Sequence, residues 1–283
     1  SLEEEDTIPR QLDGLLRKTF PGKKITIINA GFGGTGPVQQ LGVLVERLLA
    51  LSPDLIMYQA CPGNDLSDCS YLKGNLFESV EPGYTYWMQG LVRPILRITI
   101  DKKITQYSQC YRRLKKGLGL SPVVWTINQC SLISPPLDNV IRRDLPDRPW
   151  WLESNVSEWY PAINEAWGVY ETYMRKMINT CQTHNIAFVA YIIPVRADLK
   201  YNVWMELTSK YDNGVKYTFR KTYLAMEQFF KSENVATIDV MTALDDYPSI
   251  EELYYYDGHC TPKGSGIIAR QLCDWLGNHY FKQ

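Results

Sequence analysis

Short apolar runs alternate with longer stretches of helical periodicity through most of the chain. The apolar runs are rich in β-branched and aromatic residues, as expected for strands that are covered on both faces. They occupy residues 24–29, 54–60, 187–193 and 236–240. Helical spacing of apolar residues follows or separates these runs near residues 7–20, 41–49, 166–181, 219–230 and 262–276. This order predicts a single α/β domain over residues 1–283 with a doubly wound, mostly parallel sheet.

The regular pattern loosens between about residues 66 and 160, which we interpret as an insertion. Within it, residues 105–118 are predicted to be helical and 123–127 could form a strand. Residues 135–151 are predicted to form an irregular, aromatic-rich loop. Two interpretations stay open: the aromatic residues shape a pocket, or they form a satellite core.

Three loops are expected to meet where the predicted parallel strands end. They are the glycine loop at 31–36, the segment 63–65, and the approach to His259. Ligand sites of open parallel sheets lie beyond the carboxyl ends of the strands. Thr261 and Pro262 have the character of a helix start, which places His259 in the loop just before the last helix.

Two chemistries could use these loops. Gly31, Gly33 and Gly36 spell G-x-G-x-x-G, the pattern of a dinucleotide-binding turn. However, no acidic residue ends the next predicted strand, where one would hold a ribose. In the second chemistry, the Gly34 N–H and the Asn64 side-chain amide stabilise an oxyanion formed during acyl transfer, and His259 is the general base.

Composition limits the classes of partner. The 283 residues include 45% hydrophobic and 22% charged residues, with a formal net charge of −1. This charge balance provides no electrostatic basis for binding nucleic acid or an anionic membrane. No apolar run reaches the roughly 18 residues of a membrane span. The seven cysteines show no metal-binding spacing. We therefore expect no metal, no cofactor, no nucleic acid and no integral membrane segment.

The candidate residues resemble the SGNH (GDSL-type) hydrolase superfamily. The resemblance lies in Asn29-Ala30-Gly31-Phe32-Gly33-Gly34-Thr35, Gly63-Asn64-Asp65 and Asp257-Gly258-His259, which occur in the order of the family's blocks. It implies a flavodoxin-like, three-layer α/β/α fold. It also implies that Gly34 and Asn64 donate to the oxyanion, while Asp257 and His259 are the catalytic acid and base. The implied activity is metal-free hydrolysis of an acyl or acetyl ester of a carbohydrate or lipid.

The sequence departs from the family pattern in two places. The acid, Asp257, lies two residues before His259 rather than the usual three. The Gly-Asp-Ser block that supplies the nucleophile is not found in residues 1–283, so we expect the serine, and a central first strand, upstream of residue 1. Within the chain, substitute nucleophiles near the predicted site would be Ser1, Thr35, Cys61 or Ser67.

The sequence therefore favours a serine esterase acting on a small-molecule or carbohydrate ester. Two alternatives remain from other classes. One is a non-catalytic binding or structural module with an SGNH-like fold. The other is a nucleotide-binding, Rossmann-like domain.

Overall fold

The structure is a computed structural model that describes residues 3–31, 35–70, 150–211, 214–255 and 258–281. The helix predicted at 105–118, the strand predicted at 123–127 and nearly all of the loop predicted at 135–151 lie outside the described residues. The elements below are numbered within the described part of the chain.

A small parallel sheet forms the centre of the described structure. Its strands are β1 (Leu55–Ala60), β2 (Ala187–Ile192) and β3 (Ala236–Ile238), arranged in the order β1-β2-β3. Leu55 pairs with Ala187 and Ala60 with Ile192, so β1 and β2 are in register along their whole length. All three strands fall on predicted apolar runs, and the chain has an α/β fold.

Ten α-helices are found in the described residues. They are α1 (Ile8–Thr19), α2 (Pro37–Val43), α3 (Asp65–Ser70), α4 (Trp150–Glu153), α5 (Pro161–Thr183), α6 (Arg196–Leu199), α7 (Tyr201–Ser209), α8 (Lys221–Ser232), α9 (Met241–Asp245) and α10 (Pro262–His279). Short 3₁₀ turns at Glu4–Asp6, Leu49–Leu51 and Ile250–Glu252 and a π turn at Leu44–Leu48 complete the set. No helix of the described residues has the length and apolar character required to cross a membrane.

The helices cover the sheet. Residues 189–192 of β2 are all buried, although successive side chains point to opposite faces, so both faces of the strand are covered. Helices α5 and α8 contact β2, and α10 packs along α1 and against β3. From β1, Tyr58 contacts Phe230 of α8 with 6.1 Å between ring centroids. The core thus joins the sheet to helices from both halves of the chain.

The strand predicted at residues 24–29 is not formed. Ile25 and Ile27 pack partly against the core, whereas Ile28 is 51% exposed, so burial alternates as in an extended chain. A β-branched run favours extended backbone, but a strand also needs a neighbour that exchanges hydrogen bonds with it. Residues 24–29 pair with no other described residues, which is why the extended segment stays outside the sheet.

The helix around residues 41–49 forms, but not as one regular α-helix. After Val43 the backbone continues as the π turn, which shifts the faces of the following residues. Leu41 and Leu44 are buried as their spacing predicts, but Val45, predicted to point inward, is 40% exposed. The sequence pattern carries no signal for this change of helical period.

The described end of the predicted insertion is divided between two clusters: Leu152 lies in a satellite core, whereas Val156 is buried in the main core. Leu152 and Trp204 are buried together in a cluster separate from the main one. Trp151 contacts Trp204 with ring centroids 6.4 Å apart. Trp151 thus packs on the satellite core, while Trp159 packs on the main core. The last two residues of the loop predicted at 135–151, Trp150 and Trp151, belong to the short helix α4.

Candidate functional site

The first part of the site is the Asn64 turn (residues 61–64), which joins β1 to α3. The Cys61 carbonyl accepts the N–H groups of Asn64 at 3.3 Å and Asp65 at 3.0 Å. The Asn64 carbonyl accepts the Asp68 N–H at 2.9 Å, so Asn64 sits at the N-terminal end of the helix. The residue is exposed. The turn therefore holds the backbone of Asn64 and presents its side-chain amide to solvent.

A buried carboxyl group supports this turn. Asp65 is only 3% exposed, and its Oδ2 accepts the Cys61 N–H at 2.9 Å and the Tyr58 hydroxyl at 3.4 Å. Burial penalises the charged form and raises the pKa of Asp65 to about 8. Burial likewise raises the pKa of Asp68 to about 6.

The second part is the His259 loop (residues 254–255 and 258–260), which precedes α10. The Tyr255 N–H donates to the His259 carbonyl at 2.8 Å, and Gly258 has a φ of 87°, a conformation that suits glycine. The Thr261 hydroxyl accepts the Gly264 N–H at 3.2 Å, which confirms Thr261 as the N-cap of α10. His259 lies in this loop and is exposed to solvent.

The two parts meet beyond the carboxyl ends of β1 and β2. A side chain at Gly63 would collide with Val195, since its Cβ would lie 2.7 Å from Val195 Cγ1. The Tyr254 hydroxyl donates to the neighbouring Pro194 carbonyl at 2.8 Å. The segment after β2 is therefore in contact with both the Asn64 turn and the His259 loop.

A pair of cysteines lies at the same junction. Burial raises the pKa of Cys61 to about 12, and the electrostatic effects of Asp65 and, to a smaller extent, Cys260 add to the rise. Cys260 also hydrogen-bonds Tyr254, and burial raises its own pKa to about 11. Together with the contacts of Gly63 and Tyr254 with residues 194–195, this places the loops that carry Asn64 and His259 in one region.

The other two predicted site residues, Gly34 and Asp257, lie outside the described residues. The described end of the glycine loop does reach the site. A Cβ on Gly36 would lie 2.8 Å from the Cβ of Asp68, so the backbone of Gly36 packs directly on α3. The chain that leads away from Gly34 therefore passes next to the helix that Asn64 begins.

The candidate substitute nucleophiles that the structure describes are poorly suited to attack an ester carbonyl. A thiol with the raised pKa of Cys61 is almost entirely protonated at neutral pH and is a poor nucleophile. The Ser67 hydroxyl donates to the Asn64 carbonyl at 2.7 Å, which gives it a capping role. Ser1 lies outside the described residues, and the carbonyl of Thr35 accepts the Gln40 side-chain amide at 3.0 Å.

No protein-family model, curated protein or solved structure matches this chain. Nor do the described residues contain a group of three or more His, Cys, Asp or Glu side chains able to hold a metal ion. The dinucleotide-binding reading of Gly31, Gly33 and Gly36 requires a strand before the first glycine. Residues 24–30 form none.

Three residues of the site have roles that were not predicted from the sequence. Asp65 supports the Asn64 turn, and Tyr254 and Cys260 join the His259 loop to its neighbours. A carboxylate placed directly after a buried strand and its turn is a signal that could have identified Asp65. The Tyr254 hydroxyl bonds a carbonyl 60 positions away, for which the sequence has no local signal.

Proposed function

We propose that this chain carries the oxyanion-binding and general-base residues of a serine esterase of the SGNH type. His259 is the base, Asp257 orients it, and Gly34 and Asn64 bind the oxyanion. One observation supports the proposal most strongly. The loops that carry Asn64 and His259, about 200 residues apart in sequence, approach each other where β1 and β2 end.

The proposed reaction uses a serine nucleophile, as the resemblance to the SGNH family implies. His259 removes the proton of the serine hydroxyl while the oxygen attacks the ester carbonyl carbon. The negative charge that develops on the carbonyl oxygen is stabilised by the Gly34 N–H and the Asn64 amide. His259 then protonates the departing alcohol. A water molecule, deprotonated by His259, then attacks the acyl carbon, and the serine oxygen leaves with that proton, which frees the acid.

The exposed position of Asn64 suits this role, since its amide can reach a substrate without leaving a buried partner unsatisfied. The satellite core adjoins the site through Val195, which contacts both Gly63 and the Leu152 cluster. The substrate ester would therefore enter beside an aromatic and aliphatic wall. Such a wall accommodates an acyl chain or the apolar face of a sugar.

The test is hydrolysis of p-nitrophenyl acetate and butyrate by the full-length gene product. His259→Ala should lower kcat by about 100-fold to 10,000-fold, the range for losing a general base. Asn64→Ala should lower kcat about 100-fold or more with little change in KM, because the oxyanion exists only after attack. Absence of turnover in the unmodified protein over a panel of acyl and acetyl esters would reject the proposal.

A matched control is available in His184→Ala. His184 is exposed at the C-terminal end of α5, where its Nδ1 lies 2.9 Å from the Thr180 carbonyl oxygen. It is far in the fold from the loops that follow β1 and β2, at the opposite end of the strand it precedes. Its removal should leave kcat and KM unchanged. An equal loss in both histidine variants would indicate a general effect on folding.

A further inference from the structure

We propose that Asp65 is the positioning residue of this site: its buried carboxyl group ties the Asn64 turn to the end of β1 and so sets where the Asn64 amide points. This inference rests on the proposed function for its catalytic consequence. Its structural part, that Asp65 holds the turn, stands on the contacts of the carboxyl group alone.

The Asp65 carboxyl group hydrogen-bonds to the first residue of the Asn64 turn. Asp65 is the first residue of α3, yet its Oδ2 reaches back to the Cys61 N–H at 2.9 Å and to the Tyr58 hydroxyl at 3.4 Å. The main chain closes the same turn from the other side, because the Asp65 N–H donates to the Cys61 carbonyl at 3.0 Å. Two reciprocal hydrogen bonds thus join Cys61 and Asp65, with Asn64 held between them.

Loss of a hydrogen bond between Cys61 and Asp65 would change the position of Asn64, which lies between them. Asn64 precedes Asp65, and its carbonyl is bound by the Asp68 N–H and the Ser67 hydroxyl of α3. Gly63 is fitted against Val195 without room for a side chain. The backbone of the turn therefore has little conformational freedom as long as the Asp65 carboxyl group keeps its hydrogen bonds. If the carboxyl contact is lost, the Cys61 N–H has to find another acceptor, and the turn can shift.

The groups that face Asp65 determine its charge. They are Tyr58 of β1, Cys61 of the turn, Asp68 and Cys69 of α3, and Tyr170 of α5. None of these five side chains is a cation. With burial as the main cause, the pKa of Asp65 is raised to about 8. Asp65 therefore holds the turn as a neutral acid at pH 7, and its ionisation in more alkaline solution places an uncompensated charge beside Asp68.

The first experiment compares Asp65→Asn with Asp65→Ala in the ester assay. Asparagine keeps an oxygen that can accept the Cys61 N–H, so kcat should stay within about 3-fold of the original, whereas alanine should lower kcat about 10-fold to 100-fold at nearly constant KM. Asp68→Asn is the control, since Asp68 is on the same helix without contacting the Cys61 N–H. A kcat of Asp65→Ala equal to that of the unmodified enzyme would overturn the inference.

The second readout is the pH profile of kcat. The unmodified enzyme should lose kcat above about pH 8, where Asp65 ionises, and Asp65→Asn should not show this loss. If Asp65 had a structural role unrelated to the turn, the pH profiles of kcat for the unmodified enzyme and for Asp65→Asn would be parallel. Parallel profiles would therefore count against the inference even if Asp65→Ala failed to fold.

The third readout does not depend on activity. Amide hydrogen exchange at Cys61 should be slow in the unmodified protein and in Asp65→Asn, and at least about 10-fold faster in Asp65→Ala. If the unmodified protein hydrolyses no ester, the proposed function fails, and exchange at Cys61 still decides whether Asp65 holds the turn. Unchanged exchange in Asp65→Ala would show that it does not.

Discussion

At the scale of single residues, we expect the burial of carboxyl groups to have the largest effect on the free energy of unfolding. Asp198 is fully buried in α6, where its Oδ2 accepts the Val195 N–H at 3.4 Å. Its Oδ1 has no hydrogen-bond partner among the described residues. Burial raises the pKa of Asp198 to about 7, and the nearby Arg220 offsets only part of the effect. The fold therefore favours the neutral form of this acid.

We predict that Asp198→Asn stabilises the protein at neutral and alkaline pH. Because the folded-state pKa lies above the ordinary value, the unfolded chain loses its proton first as pH rises. The free energy of unfolding of the unmodified protein should thus decrease from about pH 4 to about pH 7. Asparagine keeps the acceptor without the charge. Urea unfolding at pH 8 should show a gain on the order of 2–4 kcal/mol.

The same comparison at about pH 3.5 should show almost no gain, because the aspartate is then protonated in both states. Asp274→Asn is a suitable control, since Asp274 is an exposed residue of α10. Its unfolding curves should follow those of the unmodified protein throughout. A pH-independent difference between Asp198→Asn and the unmodified protein would contradict the assignment of a neutral buried acid.

At the scale of elements, the position of the His259 loop depends on how closely α10 approaches the segment before it. Gly264 lies in the first turn of α10, and a Cβ there would come within 2.4 Å of the Leu253 carbonyl oxygen. That carbonyl accepts the Thr261 N–H at 2.9 Å. The helix start and the beginning of the loop are thus in direct backbone contact, with His259 between them.

We predict that Gly264→Ala destabilises the fold by about 3 kcal/mol, because the collision is with backbone rather than with a mobile side chain. Thermal unfolding measures the effect. Gly168→Ala is the matched control: Gly168 is an exposed position of α5 with no atom within 4 Å of a Cβ. There the substitution should stabilise by roughly 0.5–1 kcal/mol through helix propensity. Equal effects at both sites would contradict the close packing at Leu253.

The same scale shows what the hydrophobic pattern can predict. The strands at 55–60, 187–192 and 236–238 and the helices at 8–19, 161–183, 221–232 and 262–279 agree with apolar runs and helical spacing. These signals are local and reflect burial. The strand predicted at 24–29 is not formed, because a strand also requires a partner strand that the local sequence does not specify. The π turn after Val43 is likewise a tertiary adjustment with no local signal.

At the scale of the whole molecule, parallel topology accounts for the part of the site that could be predicted. Loops that follow parallel strands emerge at one edge, so Asn64 and the approach to His259 could be placed together from sequence. The contacts that join them could not. Tyr254 with Pro194 and Gly63 with Val195 link residues 60 and 132 positions apart. Only the packed structure determines which side chains meet there.

An arginine joins three helices of the described structure. Arg220 binds the Leu199 carbonyl at 3.1 Å and the Asp245 carboxylate at 3.2 Å, and so joins α6, α8 and α9. Around Asp65, by contrast, the facing groups are neutral or acidic. The junction that carries Asn64 thus relies on a neutral carboxyl group, while the helices around it are joined by ion pairs.

The central claim is that Asn64 and His259 belong to one ester-hydrolysing site, and one measurement tests it most directly. It is the double-mutant cycle of kcat for p-nitrophenyl acetate with Asn64→Ala, His259→Ala and both together, in the full-length gene product. Residues that act in the same transition state give strongly non-additive losses, so the double variant should be little slower than His259→Ala alone. Fully additive losses, or unchanged kcat in His259→Ala, would contradict the account.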